Sequence, residues 1–249
     1  MAWFYKGPTP YHLAQACSCF DRALVADPDN VEALIGSAAA HAVEGSMSLV
    51  ADPMAAFAAA EAKLTKALSL APDHPGGHVW LGLVDIWTKR AAEGIAECEY
   101  ALKLDPNLAP AHYFIGYGKL FVGRAEETES HIGEALRLSP RDMGVYAWMF
   151  AAGLAKFGLG SYEQAVSWFR RSIEANRNFP HTHFFLASAL AQLGRLDEAR
   201  PAVKAGLALN PTYAVSRDRA VWSRVSDDPT FLAGLELYLD GLRKAGAPE

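Results

Sequence analysis

Apolar residues in this chain fall at helical spacing, and the helical blocks themselves repeat. A large apolar residue, a small one three positions on and a proline five further recur as Phe20/Ala23/Pro28, Leu64/Ala67/Pro72, Cys98/Ala101/Pro106 and Ile132/Ala135/Pro140, and more weakly as Val203/Gly206/Pro211. Pro72, Pro106 and Pro140 follow one another at 34 residues, and Pro211 lies two periods plus three residues beyond Pro140, with Arg177 where the intervening proline is due. A second landmark fixes the phase. Gly123-Arg-Ala-Glu, Gly160-Ser-Tyr-Glu and Gly194-Arg-Leu-Asp each stand 17 residues before a proline position. Each suits a helix ended by glycine in the left-handed conformation, followed by a helix opening on an acidic residue. Thr128, Ala165 and Ala199, five positions after each glycine, are small enough to let the second helix of a hairpin approach the first, and the proline then stops it. The spacing predicts helix pairs at 75–88/91–105 and 109–122/125–138. It predicts an all-α fold, a right-handed superhelical array of antiparallel hairpins with a C-terminal capping helix.

The 34-residue period, the small and proline positions, and the pairs Leu81-Gly82 and Ile115-Gly116 resemble the tetratricopeptide repeat over about 28 to 213. The units fall at about 1–30 (partial), 31–74, 75–108, 109–142, 143–179 and 180–213. The first full unit is ten residues too long, with the excess around Glu44-Gly-Ser-Met-Ser-Leu-Val-Ala-Asp-Pro53. Proline is tolerated in a first helical turn, so Pro53 is expected near the start of a helix running to about Leu70. After 213 the period fails, and Asp227-Asp228-Pro229 reads as the start of a last helix from Phe231 to Lys244 that covers the end of the stack. The domain reading is an array over 1–226 and a capping helix and tail over 227–249. A narrower likeness rests on Ser139-Pro-Arg-Asp142, Asn178-Phe-Pro-His-Thr-His183, Gln192-Leu-Gly-Arg-Leu-Asp-Glu-Ala199 and Gly241-Leu-Arg-Lys-Ala-Gly-Ala-Pro-Glu249. These are similar to the C-terminal repeat regions of bacterial adenylate/guanylate cyclase-like or winged-helix regulator proteins. That resemblance implies a regulatory or partner-binding arm, without the cyclase or DNA-binding half.

Composition agrees with a folded core: 51% of residues are hydrophobic and 20% charged. A net charge of −5, with no basic stripe, argues against a nucleic-acid partner. The opening residues Met1-Ala-Trp-Phe-Tyr-Lys lack the order of a secretory signal. The longest apolar run, from Met143 to Ala155, is too short for a membrane span of roughly 20 residues. Three cysteines, Cys17, Cys19 and Cys98, make no disulfide framework and suit a reducing cytoplasm.

Candidate chemistry is sparse. His78, His112 and His183 share the fourth position of the first helices of their units, which repetition explains without a metal. His74 and His78 are separated by Pro75-Gly76-Gly77, and Cys17-Ser-Cys19 lacks a second half. Cys98 takes the large apolar position of its unit. No phosphate loop or hydrolase motif is present, so the expectation is no enzyme, no cofactor and no metal. The groove is more informative. Family geometry turns positions 2, 5, 9 and 12 of each unit inward. Positions 5 and 9 are Ile35 and Ala39, Val79 and Leu83, Tyr113 and Tyr117, Phe150 and Leu154, then Phe184 and Ser188. This apolar, aromatic tract fits an apolar helix or extended segment of a partner, unless tight superhelical curvature or the chain's own ends cover it. The eleventh position carries His41, Asp85, Lys119 and Lys156 as a charged ladder, with Asp85 expected to pair with Lys119 or His41. The function these features imply is a protein-interaction scaffold with a protein or peptide partner. The alternatives are self-association with a second copy as a homodimer, and an enzyme using the groove as a pocket.

Overall fold

A computed structural model describes residues 10–249. The reading of 1–6 and the first nine residues of the partial unit lie outside the described residues. Among the described residues there are thirteen α-helices, one short 3-10 turn and no strand. None of the helices is long and apolar enough to cross a membrane. The chain divides into two compact units, Met1–Phe114 and Ile115–Glu249.

The first unit contains α1 (Pro10–Ala26), α2 (Val31–Ser46), α3 (Pro53–Leu70), α4 (Pro75–Trp87) and α5 (Ala91–Leu104). The pairs α2/α3 and α4/α5 form hairpins, and α1 packs on α2. The starts of α2, α3 and α4 have a local cause. The Asn30 side chain accepts from the Ala33 N–H at 3.0 Å, Asp52 from Ala55 at 3.0 Å, and the His74 ring from Gly77 at 3.1 Å. These bonds satisfy amides that have no partner inside the helix. Pro53 occupies the first turn of α3, which runs to Leu70 as the sequence implies. The ten extra residues thus make a loop, through Ser48 at φ 51°, and a longer second helix.

Small residues set the separation of α4 and α5. A Cβ added at Gly82 would stand 2.5 Å from Cys98 Sγ and 2.7 Å from the Gly94 carbonyl oxygen. The turn between these helices uses Lys89 at φ 64°, where later turns of the chain use Gly123, Gly160 and Gly194 at 70°, 70° and 74°. A side chain in that conformation costs roughly 1 kcal/mol.

The division of the chain falls within α6 (Ala109–Phe121). The second unit continues through a 3-10 turn (Ala125–Glu127), α7 (Thr128–Leu138), α8 (Val145–Gly158), α9 (Tyr162–Ala175), α10 (Pro180–Gln192), α11 (Leu196–Leu209), α12 (Val215–Trp222) and α13 (Pro229–Lys244). The hairpins here are α8/α9 and α10/α11. Buried hydroxyls tie helices to one another: Thr128 donates to the Gly116 carbonyl at 2.8 Å and Ser172 to that of Tyr146 at 2.7 Å. Beyond Tyr213 the repeat gives way to α12 and α13. Asp228 caps α13 by accepting from the Thr230 and Phe231 amides, with Pro229 in its first turn. α13 packs on α10 and α8, the first helices of two hairpins, and on α12.

Candidate partner-binding groove

In the first unit, Val79 and Leu83 are buried in α4. Tyr113 is half-buried, its ring against Phe114 at 5.0 Å. The second unit carries the rest. Tyr117 is buried and meets Phe121 edge-on at 5.0 Å. Phe150 packs against Phe169, Phe179 and Phe185, and Phe184 stacks on Tyr213 at 3.6 Å. Ser188 is buried and donates to the Tyr238 carbonyl at 2.9 Å. Gly241 lies so close to Ser188 that any Cβ there would collide with its hydroxyl. Leu154 is half-buried. The chain's own α13 therefore packs along α10 and touches α8.

The side chains that face α13 are partly others than the fifth-position aromatics. Phe185 stacks on Tyr238 at 3.8 Å and meets Trp222 edge-on, while Phe121 meets Phe231 and Trp222. Leu120 and Phe157, at the twelfth positions of their units, line an apolar cavity of about 210 Å³ together with Phe121, Leu154, Leu159 and Phe231. Position 12 was a legible signal in the repeat register. Phe185 and Phe121 carry none, because only the placement of α13 selects them.

A buried carboxylate holds α13 down. Asp218 accepts from Tyr213 Oη at 2.7 Å, Tyr238 Oη at 2.5 Å and Trp222 Nε1 at 3.0 Å. Burial, then the Asp218 charge, push both phenols well above the usual tyrosine range, so they remain donors. A buried carboxylate is tolerable when donors saturate it in this way.

The charged ladder does not pair along itself, which corrects the expected pairing of Asp85 with Lys119 or His41. Asp85 bonds Arg90 at 2.8 Å, and Arg90 also reaches Glu61 at 2.7 Å. Lys119 pairs with Glu127 at 3.1 Å, Lys156 with Glu129 at 2.6 Å, and His41 with Glu44 at 3.2 Å. Asp85 and Lys119 lie near the ends of first helices, so a long side chain just past the turn reaches them first, whereas His41 meets Glu44 on its own helix and Lys156 meets Glu129 of the preceding α7. Asp85 is mostly buried, and burial raises its carboxyl against the opposing pull of Arg90. The histidines serve similar local ends: His78 bonds Glu97 at 2.6 Å and the Pro72 carbonyl at 2.7 Å, and His183 the Arg177 carbonyl at 2.9 Å.

Residues 150–214 match the family described as tetratricopeptide repeat. The fold is a tetratricopeptide-repeat array. No curated protein matches the chain. Solved structures with the same fold include a chain of the APC/C hetero-tetramer Cut9-Hcn1, at TM-score 0.68 and 18% identity, covering 86% of this chain and 39% of that one. This chain thus spans well under half the length of that relative. PilF of Pseudomonas aeruginosa aligns at TM-score 0.57 and 20% identity over 82% of this chain and 90% of its own. A thermophilic TPR protein of Thermus thermophilus, TTC0263, aligns at 0.56 and 19% over 69% and 92%. Identities this low speak for the fold alone.

Proposed function

We propose that this chain is a protein-interaction scaffold whose second unit takes an apolar segment of a partner protein beside its own C-terminal helix. The observation that carries the reading is the apolar cavity along α6, α8 and α13, which α13 leaves unfilled and at whose edge Leu159 is exposed. An apolar opening flanked by aromatic side chains suits an aliphatic or aromatic anchor of a partner helix. In this reading residues 1–226 form the array and 227–249 its cap and tail. In the second unit Leu154 contributes contact surface, while Tyr117, Phe150, Phe184 and Ser188 hold its shape; Val79, Leu83 and Tyr113 belong to the first unit. The likeness of its C-terminal segments to repeat regions of bacterial regulators supports a regulatory role, with the partner a signalling protein.

The test is quantitative affinity capture from the source cell with wild-type chain against Leu159→Asp and Leu154→Asp. Loss of a defined set of proteins from both variants, at unchanged circular dichroism and melting temperature, is the expected result. Equal recovery of every protein by folded variants rejects the cavity as the binding site.

A further inference from the structure

We propose that Cys17, His41 and Glu44 form a binding site for one thiophilic divalent cation of the zinc class, bridging α1 and α2. The sequence offers Cys17-Ser-Cys19 with no second half. Folding supplies that half, because His41 and Glu44, three apart on α2, share the face against which α1 packs. One ligand atom from each of the three residues lies within 4.8 Å of the other two. His41 Nδ1 and Glu44 Oε2 are 3.2 Å apart. Ligands bound to zinc at about 2.0–2.3 Å in tetrahedral array stand roughly 3.3–3.8 Å from one another. A small side-chain adjustment therefore closes the site without moving either helix. Cys19 takes no part, since its sulfur accepts from the Arg22 guanidinium at 3.6 Å.

The donor set selects the ion. Thiolate and imidazole favour zinc over magnesium or calcium, and three protein ligands at a half-buried position leave a coordination place for water. Burial, then the charges of Glu44 and Asp21, keep the Cys17 thiol protonated in the metal-free chain, so an incoming cation must displace that proton. Lys63 Nζ lies 3.0 Å from His41 Nε2 and 2.6 Å from Ser37 Oγ, so it is the cation now serving this cluster. Entry of a dication releases the thiol proton to solvent and leaves Lys63 on Ser37.

The experiment titrates the full chain with Co²⁺ and then Zn²⁺. A cobalt–thiolate charge-transfer band that saturates at one equivalent and is bleached by zinc is expected. Cys17→Ser should abolish the band, His41→Ala and Glu44→Gln should weaken cobalt binding at least about tenfold, and Cys19→Ser should leave it unchanged. Zinc should also raise the melting temperature of the wild type and not of Cys17→Ser. Absence of the band in the wild type, or its survival in Cys17→Ser, overturns the proposal. Should Cys17→Ser alter the metal-free melt, His41→Ala provides the same comparison, and undiminished binding there overturns it equally.

Discussion

Single atoms carry much of what distinguishes the C-terminal part of this array. Asp218 has its donors, but His181 next to Phe179 does not: its Nδ1 is buried without a hydrogen-bond partner. Burial lowers the His181 pKa below 6.5, an effect the Asp218 charge only partly opposes. The folded chain therefore holds this imidazole neutral, while the unfolded chain takes up a proton as pH falls through 6.5. Stability contributed by the neutral ring is present above that pH and is lost on acidification. We expect His181→Phe to flatten the acid side of the stability curve. At pH 7 it should be stabilising by about 1 kcal/mol, the cost of one unsatisfied buried nitrogen removed. Urea melts of both proteins between pH 5 and 8 measure it, and parallel curves would exclude His181 as the source.

At the scale of elements, hairpin closeness depends on which glycine is considered. Gly82 faces Cys98 and the backbone of α5, and a Cβ there has no room. Gly133 in α7 is exposed and would meet nothing within 4 Å. One substitution thus has opposite signs at the two sites. Gly82→Ala should destabilise by about 1–3 kcal/mol through overpacking. Gly133→Ala should stabilise by up to about 1 kcal/mol, because glycine in a helix interior loses more backbone entropy than alanine. Thermal denaturation of the two single variants checks both, and equal shifts would mean that hairpin separation is not set at Gly82.

Within the second unit, α13 covers aromatic surface that the repeats present. Phe121 meets Phe231 and Phe185 stacks on Tyr238, both partners on α13. A chain ending after Asp227 should expose that surface. Its melting temperature should fall by about 10 °C, corresponding to roughly 3 kcal/mol or more of lost burial. Binding of an environment-sensitive apolar dye should increase with it. A truncated chain with unchanged dye binding would show that α13 hides no continuous apolar face.

The periodic content of the sequence determined the periodic content of the fold. Prolines 34 residues apart, glycines at the turns and small residues at Thr128, Ala165 and Ala199 act over a few positions, through backbone conformation and steric fit. They fix helix starts, helix ends and hairpin closure wherever they recur. The start of α3 at Pro53 and of α13 after Asp228 are equally local, since a cap and a first-turn proline need no distant partner. What only tertiary structure decided is aperiodic. Lys89 adopts the glycine conformation because the hairpin around it demands the turn. Asp85 meets Arg90 rather than a neighbouring unit's charge because the nearest long side chain lies just past the turn. Phe185, Phe121 and the Asp218 latch depend on α13 packing along α10 and touching α8, and Cys17 meets His41 and Glu44 only once α1 packs on α2. Contacts between segments far apart in the chain obey no period, and their partners are set by packing.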